Sequence, residues 1–187
     1  MAADPSPPQD LRTSPENIFL IGYRGAGKTT VARLLAERLG WQWADADQLL
    51  EARHGRSIRQ IFASQGEAAF RALEADVLEV LCRRRRHVVA TGGGVVVGPA
   101  NRERLRAAGR VVWLTADAAT LWQRLQRDAT TVDRRPDLST GGLAEVEQLL
   151  AAREPFYRAC ADLCLDTAGQ GPETVVRVIL AHWNLAG

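Results

Sequence analysis

"GYRGAGKTT", residues 22–30, stands between the apolar run "NIFLIG" (17–22) and the amphipathic run "VARLLAERL" (31–39). The spacing G-x-x-x-x-G-K-[ST] is met by Gly22, Gly27, Lys28 and Thr29, and strand before and helix after is the context that gives this motif its meaning. A loop with small side chains can curl so that successive N–H groups point inward, and the N-terminus of the following helix adds its positive end. The cup so formed, with the backbone of Gly25, Ala26, Gly27, Lys28, Thr29 and Thr30, suits phosphate oxygens. Lys28 would bridge the β- and γ-phosphates, and the Thr29 hydroxyl would ligate Mg²⁺. The plainer alternative is a glycine-rich turn that merely caps a helix.

Composition agrees with a special place for Lys28. Of 24 basic residues it is the one lysine, and the rest are arginines. A slim ammonium enters a phosphate loop where a planar guanidinium is too wide. Length and apolar content suit a single α/β domain, expected over residues 17–187. Net charge is +2 with the signs interspersed, which argues against a nucleic-acid polyelectrolyte binder. The run Arg83–Arg86 is the exception, read as a solvated helix end in preference to an RNA contact. Cys82, Cys160 and Cys164 are odd in number and lack C-x-x-C spacing, so neither a disulfide framework nor a zinc site is expected. A reducing cytoplasm is the matching compartment, and no segment has the roughly 20 apolar residues of a membrane span. The first 16 residues read as a disordered, Pro-rich lead.

Short β-type runs alternate with helical periods: 17–22, 41–45, 88–91, 110–115 and 162–167. This predicts a five-stranded parallel sheet covered on both faces. Helical stretches are expected near 47–54, 57–65 and 67–84, with a Ser57–Gln60 capping box and a stop at Gly66. Ligands of such sheets sit beyond the carboxyl ends of the strands. The first strand leads into the phosphate loop, the second ends in "DAD" (45–47), and the third runs into "TGGG" (91–94).

Asp45 and Asp47, read as extended, point the same way, so one could support Mg²⁺ and the other accept a proton; the alternative for either is a helix cap. The glycines at 92–94 allow close approach of a ligand to backbone N–H groups, or simply a tight turn. Arg71 and Arg153 stand in helical segments near Glu74 and Glu154, as carboxylate forks or as solvated ion-pair partners. Residues 128–142 lack apolar periodicity and read as a lid bearing Arg134 and Arg135, or as a plain loop.

Taken together, the phosphate loop, "DAD", "IFASQGEAAFRALE" (61–74), "TGGG", "RRP" (134–136) and "AAREPFYRACAD" (151–162) resemble shikimate kinases in order and spacing from about residue 16 onward. That resemblance implies a P-loop NTPase fold of three layers with strand order 2-3-1-4-5, a helical substrate-binding region and a lid. It implies transfer of the ATP γ-phosphate to the 3-hydroxyl of shikimate, giving shikimate 3-phosphate and ADP; a monomer with no nucleic-acid or membrane partner is expected. By the same resemblance Asp47 binds the reacting hydroxyl and acts as base, while Asp45 supports Mg²⁺ with Thr29. Arg71 and Arg153 clamp the substrate carboxylate, and Gly93 and Gly94 donate N–H groups to the substrate. Phe62 and Phe70 line the apolar face of its ring, Arg135 is the lid arginine at the phosphates, and Arg127 covers the adenine. The chain departs from the family in placing Asp137 where an apolar lid residue is usual, and in having no arginine in "TAGQGPE" (167–173). A gluconate kinase or another small-metabolite kinase of this fold, and a nucleotide-binding module without transfer, are the alternatives.

Overall fold

The computed structural model describes residues 17–127 and 142–185. The expected lead, and the segment 128–141 with Arg134, Arg135 and Asp137, lie outside the described residues. Five strands form one sheet: β1 (Asn17–Ile21), β2 (Gln42–Asp45), β3 (His87–Ala90), β4 (Arg110–Thr115) and β5 (Leu163–Asp166). They run parallel in the order β2-β3-β1-β4-β5, as expected. Each strand lies within a residue of its sequence-based bounds.

Helices cover both faces. On one side, α1 (Lys28–Leu39), α5 (Ala118–Arg127) and α7 (Pro172–His182) pack against Ile18, Leu20, Val88, Val112 and Leu114. On the other, α2 (Ala46–His54), α3 (Ile58–Cys82), α4 (Pro99–Ala108) and α6 (Leu143–Cys160) pack against Phe19, Ile21, Val89, Val111 and Trp113. From Ile18 to Ile21 the central strand β1 therefore reads as an unbroken apolar run, because both of its faces are buried. Each such side chain contributes roughly 1.5–3 kcal/mol of burial.

The capping box forms as written in the sequence. Ser57 Oγ accepts from the Gln60 amide at 3.2 Å, and Gln60 Oε1 accepts from the Ser57 amide at 2.9 Å. Gly66, at φ 78° and ψ 178°, breaks α3 into two helical segments where the sequence places the stop. The second segment ends at Cys82, two residues before the expected bound. Arg83 caps it and pairs with Glu79, which leaves Arg84 to Arg86 in the turn to β3.

Strand register sets the site. Asp45 pairs with Ala90, and Ala90 with Leu20, so the ends of β2, β3 and β1 stand side by side. The Thr91 hydroxyl donates to Leu20 O at 2.9 Å and fixes the start of the glycine turn to β1. Beyond it, a 3-10 turn at Val95–Val97 is held by Asn101, which donates to Val95 O, and Arg102, which donates to Val96 O and Val97 O.

Candidate active site

Gly27 sits at the N-cap of α1 with φ 86°, a left-handed conformation that costs a residue with a Cβ. The first turn of α1 then aims its amides into the loop, where Lys28 is nearly buried. The Lys28 ammonium donates to Gly22 O at 2.9 Å and Tyr23 O at 2.8 Å. The cation is thus held inside the phosphate loop by that loop's own carbonyls.

Thr29, exposed on α1, donates through its hydroxyl to Asp45 Oδ2 at 2.7 Å. The other Asp45 oxygen accepts from the amides of Asp47 at 3.0 Å and Gln48 at 3.1 Å. Asp45 is therefore the N-cap of α2, and it meets Thr29 at the same time. The extended reading of the aspartate pair is corrected here: Asp45 ends the strand, whereas Asp47 already lies in the first helical turn. Capping by Asp45 starts the helix one residue earlier than a continued strand would allow.

Arg71, on the second segment of α3, donates to Glu74 Oε2 at 2.7 Å and to Glu67 Oε1 at 3.1 Å. Its guanidinium lies directly over Gly94. A Cβ there would stand 2.6 Å from Arg71 Nη2 and 2.8 Å from Cζ. Gly94→Ala is accordingly expected to displace the fork and to lower kcat/KM for the acceptor by about 10- to 100-fold, with the KM for ATP nearly unchanged. Steady-state kinetics with each substrate varied in turn check this.

Phe70 is buried beneath the Arg71 fork, whose Cζ lies 5.2 Å from the ring centroid. Phe62 packs on Phe70 with centroids 4.6 Å apart, across the break at Gly66. Gly93 accepts from the buried Tyr157 hydroxyl, and a Cβ on it would meet Arg24 N and Gly22 O at 3.4 Å and Tyr23 Cα at 3.7 Å. The glycine turn is pressed against the phosphate loop. Arg153 reaches that loop from α6, its Cζ 5.9 Å from the Tyr23 ring centroid. It hydrogen-bonds and ion-pairs with no other described residue. Its expected neighbour Glu154 pairs instead with Arg158, because side chains four apart on a helix meet and adjacent ones do not.

Arg127 is exposed on the last turn of α5. One turn earlier, Arg124 donates to Thr167 Oγ1 at 2.9 Å, to Thr167 O at 2.6 Å and to Gly25 O at 3.4 Å. Arg124 therefore ties the phosphate loop to the loop after β5, which supplies no arginine of its own. The sequence reading missed this residue, whose one signal was its place a helical turn before Arg127. Of the three cysteines, all free, Cys82 and Cys160 have thiols pushed up to about 11 by burial, and Cys164 is raised too. None has the depressed pKa of a nucleophile.

A sequence profile of the shikimate kinase family matches residues 24–184. The chain belongs to the shikimate kinase family. A shikimate kinase of Rhodopirellula baltica is 42% identical over 89% of each chain. One from Halorhodospira halophila is 46% identical over 89% of this chain and 93% of its own. Among solved structures, a shikimate kinase from Acinetobacter baumannii in complex with shikimate superposes with a TM-score of 0.81, at 39% identity over 91% of this chain and 95% of that one. The phosphate loop, the junction of β2 and α2 at Asp45 and the contact of Arg71 with Gly94 are thus parts of a family member's fold.

Proposed function

We propose that this protein transfers the γ-phosphoryl group of ATP to the 3-hydroxyl of shikimate, giving shikimate 3-phosphate and ADP. The observation that carries the reading is that two guanidiniums come to the glycine turn and the loop it packs on: Arg71 lies against Gly94, and Arg153 stands 5.9 Å from the ring of Tyr23, whose backbone packs on Gly93. Two forks in that relation suit a carboxylate on a small ring, and Arg153 has no described anion to hold. Phe62 and Phe70 offer the ring an apolar wall next to the Arg71 fork.

In the reaction the 3-hydroxyl oxygen attacks the γ-phosphorus, its proton passes to Asp47, and the bond from the γ-phosphorus to the β–γ bridging oxygen breaks. Lys28 and the loop amides take up the charge on the leaving oxygens, a role assigned from Gly25 to Thr30. Arg135 belongs to the same assignment as the cation at the transferring phosphate, and Arg127 at the adenine. Thr29 and Asp45 fit Mg²⁺, which takes hard oxygen ligands and needs only one or two from protein when phosphates and waters complete its shell. That ion would supply charge neutralisation at the β- and γ-oxygens. The proposal includes a monomer working in the cytoplasm without nucleic-acid or membrane partners. The free cysteines suit a reducing compartment and the interspersed charge suits the reading without nucleic acid; among the described residues no helix is long and apolar enough to cross a membrane.

ADP release, coupled to a reporter and measured with shikimate, gluconate and nucleoside monophosphates offered separately, tests the function. Turnover with shikimate alone is expected; turnover with gluconate, or none with any acceptor, overturns the reading. Arg153→Lys keeps the charge but loses the fork, so the KM for shikimate should rise about tenfold while that for ATP stays put. An acceptor analogue lacking the carboxylate should not distinguish the variant from the parent protein. If the variant discriminates against that analogue as the parent does, Arg153 is not the clamp.

A further inference from the structure

Arg24 lies within the phosphate loop, yet no role above uses its side chain. Its guanidinium stands 5.7 Å from the Tyr23 ring centroid and 3.9 Å from Glu145 Oε1. Glu145, in the first turn of α6, is only 4% exposed, and its Oε1 accepts no hydrogen bond from any described residue. A carboxylate withdrawn from water is costly unless paired at close range, and an ion pair of 3.9 Å without a hydrogen bond compensates it only in part. Packing alone would favour an apolar side chain at that position.

Two turns further along α6, Arg153 approaches the same Tyr23 ring. The helix that carries the proposed acceptor clamp thus meets the Tyr23–Arg24 dipeptide at two points. The same dipeptide is where the nucleotide acts, because the Lys28 ammonium is bonded to Gly22 O and Tyr23 O. A Lys28 ammonium that turned to phosphate oxygens would draw away from those two carbonyls, so the Tyr23–Arg24 backbone is the part of the loop that nucleotide binding would perturb.

We propose that Arg24 and Glu145 are positioning residues that couple the nucleotide site to the acceptor clamp. Arg24 passes the adjustment of the phosphate loop to Glu145, the pair draws closer, and α6 sets Arg153 for the acceptor carboxylate. Coupling of this kind is reciprocal, so a bound acceptor tightens nucleotide by the same factor. The inference rests on the kinase reading above.

Its test is the dissociation constant for shikimate, measured calorimetrically on the full chain with and without saturating ADP and Mg²⁺. In the parent protein ADP should tighten shikimate about fivefold or more, the lower range of ordinary coupling. Glu145→Gln, which keeps the shape, and Arg24→Met should bring that ratio close to one while shifting shikimate affinity without nucleotide less than about threefold. The double variant should lose no more than either single one, since both remove the same interaction. Arg24→Lys, which keeps the charge, should retain part of the ratio and guards against a folding defect. A role confined to stability would weaken shikimate equally in both nucleotide states. A ratio that survives both substitutions, or a parent ratio of one, overturns the coupling alone. A parent protein that binds no shikimate overturns the functional reading and the coupling with it.

Discussion

Lys28→Ala is expected to lower kcat by roughly 10²–10³-fold or more, because the β- and γ-phosphates lose the cation that follows charge onto the leaving oxygen. The Lys28 ammonium is already placed within the loop, 2.8 to 2.9 Å from two of its carbonyls, so nothing large must move for it to meet a phosphate. The same geometry predicts failure of Lys28→Arg. A guanidinium is planar and presents its donors as a wide fork, and the site between Gly22 O and Tyr23 O accepts a compact group from a side chain that is 9% exposed. Crowding would push the fork out toward the glycine turn, where Arg24 N and Gly22 O already lie close to Gly93. The measurement is single-turnover transfer at saturating ATP, beside nucleotide binding by calorimetry. Near-normal transfer by Lys28→Arg would show that charge alone matters, and the presence of a single lysine in a chain of arginines would lose its explanation.

Features that depend on neighbours in sequence could be read directly. The phosphate loop, the Ser57–Gln60 cap and the break at Gly66 are local, and each is found where its residues put it. Strand positions followed from apolar runs, whereas their order came from resemblance, since register between distant strands leaves no mark in either strand alone. What could not be read depends on which long side chain wins a partner. Arg124 and Arg127 share one side of α5, and only the position of Thr167 in space selects the former. Glu154 sits beside Arg153 in sequence but a helical turn from Arg158, and helix geometry gives it to Arg158. Nothing in the sequence marks Glu145 as buried, yet α6 lies against the phosphate loop so closely that its carboxylate is withdrawn from water. Arg71 over Gly94 is a fourth case: the glycines announced a close approach, but the partner found there is the protein's own guanidinium.

The aspartate pair carries the other large effect. Asp47→Asn should cut kcat by about 10²-fold or more while leaving ATP affinity within a factor of about three. Asparagine has the same shape, and the helix start does not depend on it, because the cap is Asp45, whose carboxylate accepts from the amides of residues 47 and 48. What the change removes is a proton acceptor in the first turn of α2, just past β2, whose strand lies one away from β3 and the glycine turn and two from β1 and the phosphate loop. Asp45→Asn gives the contrasting pattern. Asparagine caps a helix about as well as aspartate, but it has one acceptor oxygen where Asp45 uses two, so the Thr29 hydroxyl loses its partner and nucleotide affinity in the presence of Mg²⁺ should fall along with turnover. The two variants therefore separate chemistry from metal and nucleotide binding on adjacent turns of chain. Calorimetric titration of ATP analogues with and without Mg²⁺, set beside single-turnover rates, reads both. If Asp47→Asn loses nucleotide affinity and rate in equal measure, Asp47 serves the metal or the fold, and the proton of the 3-hydroxyl must leave by another route.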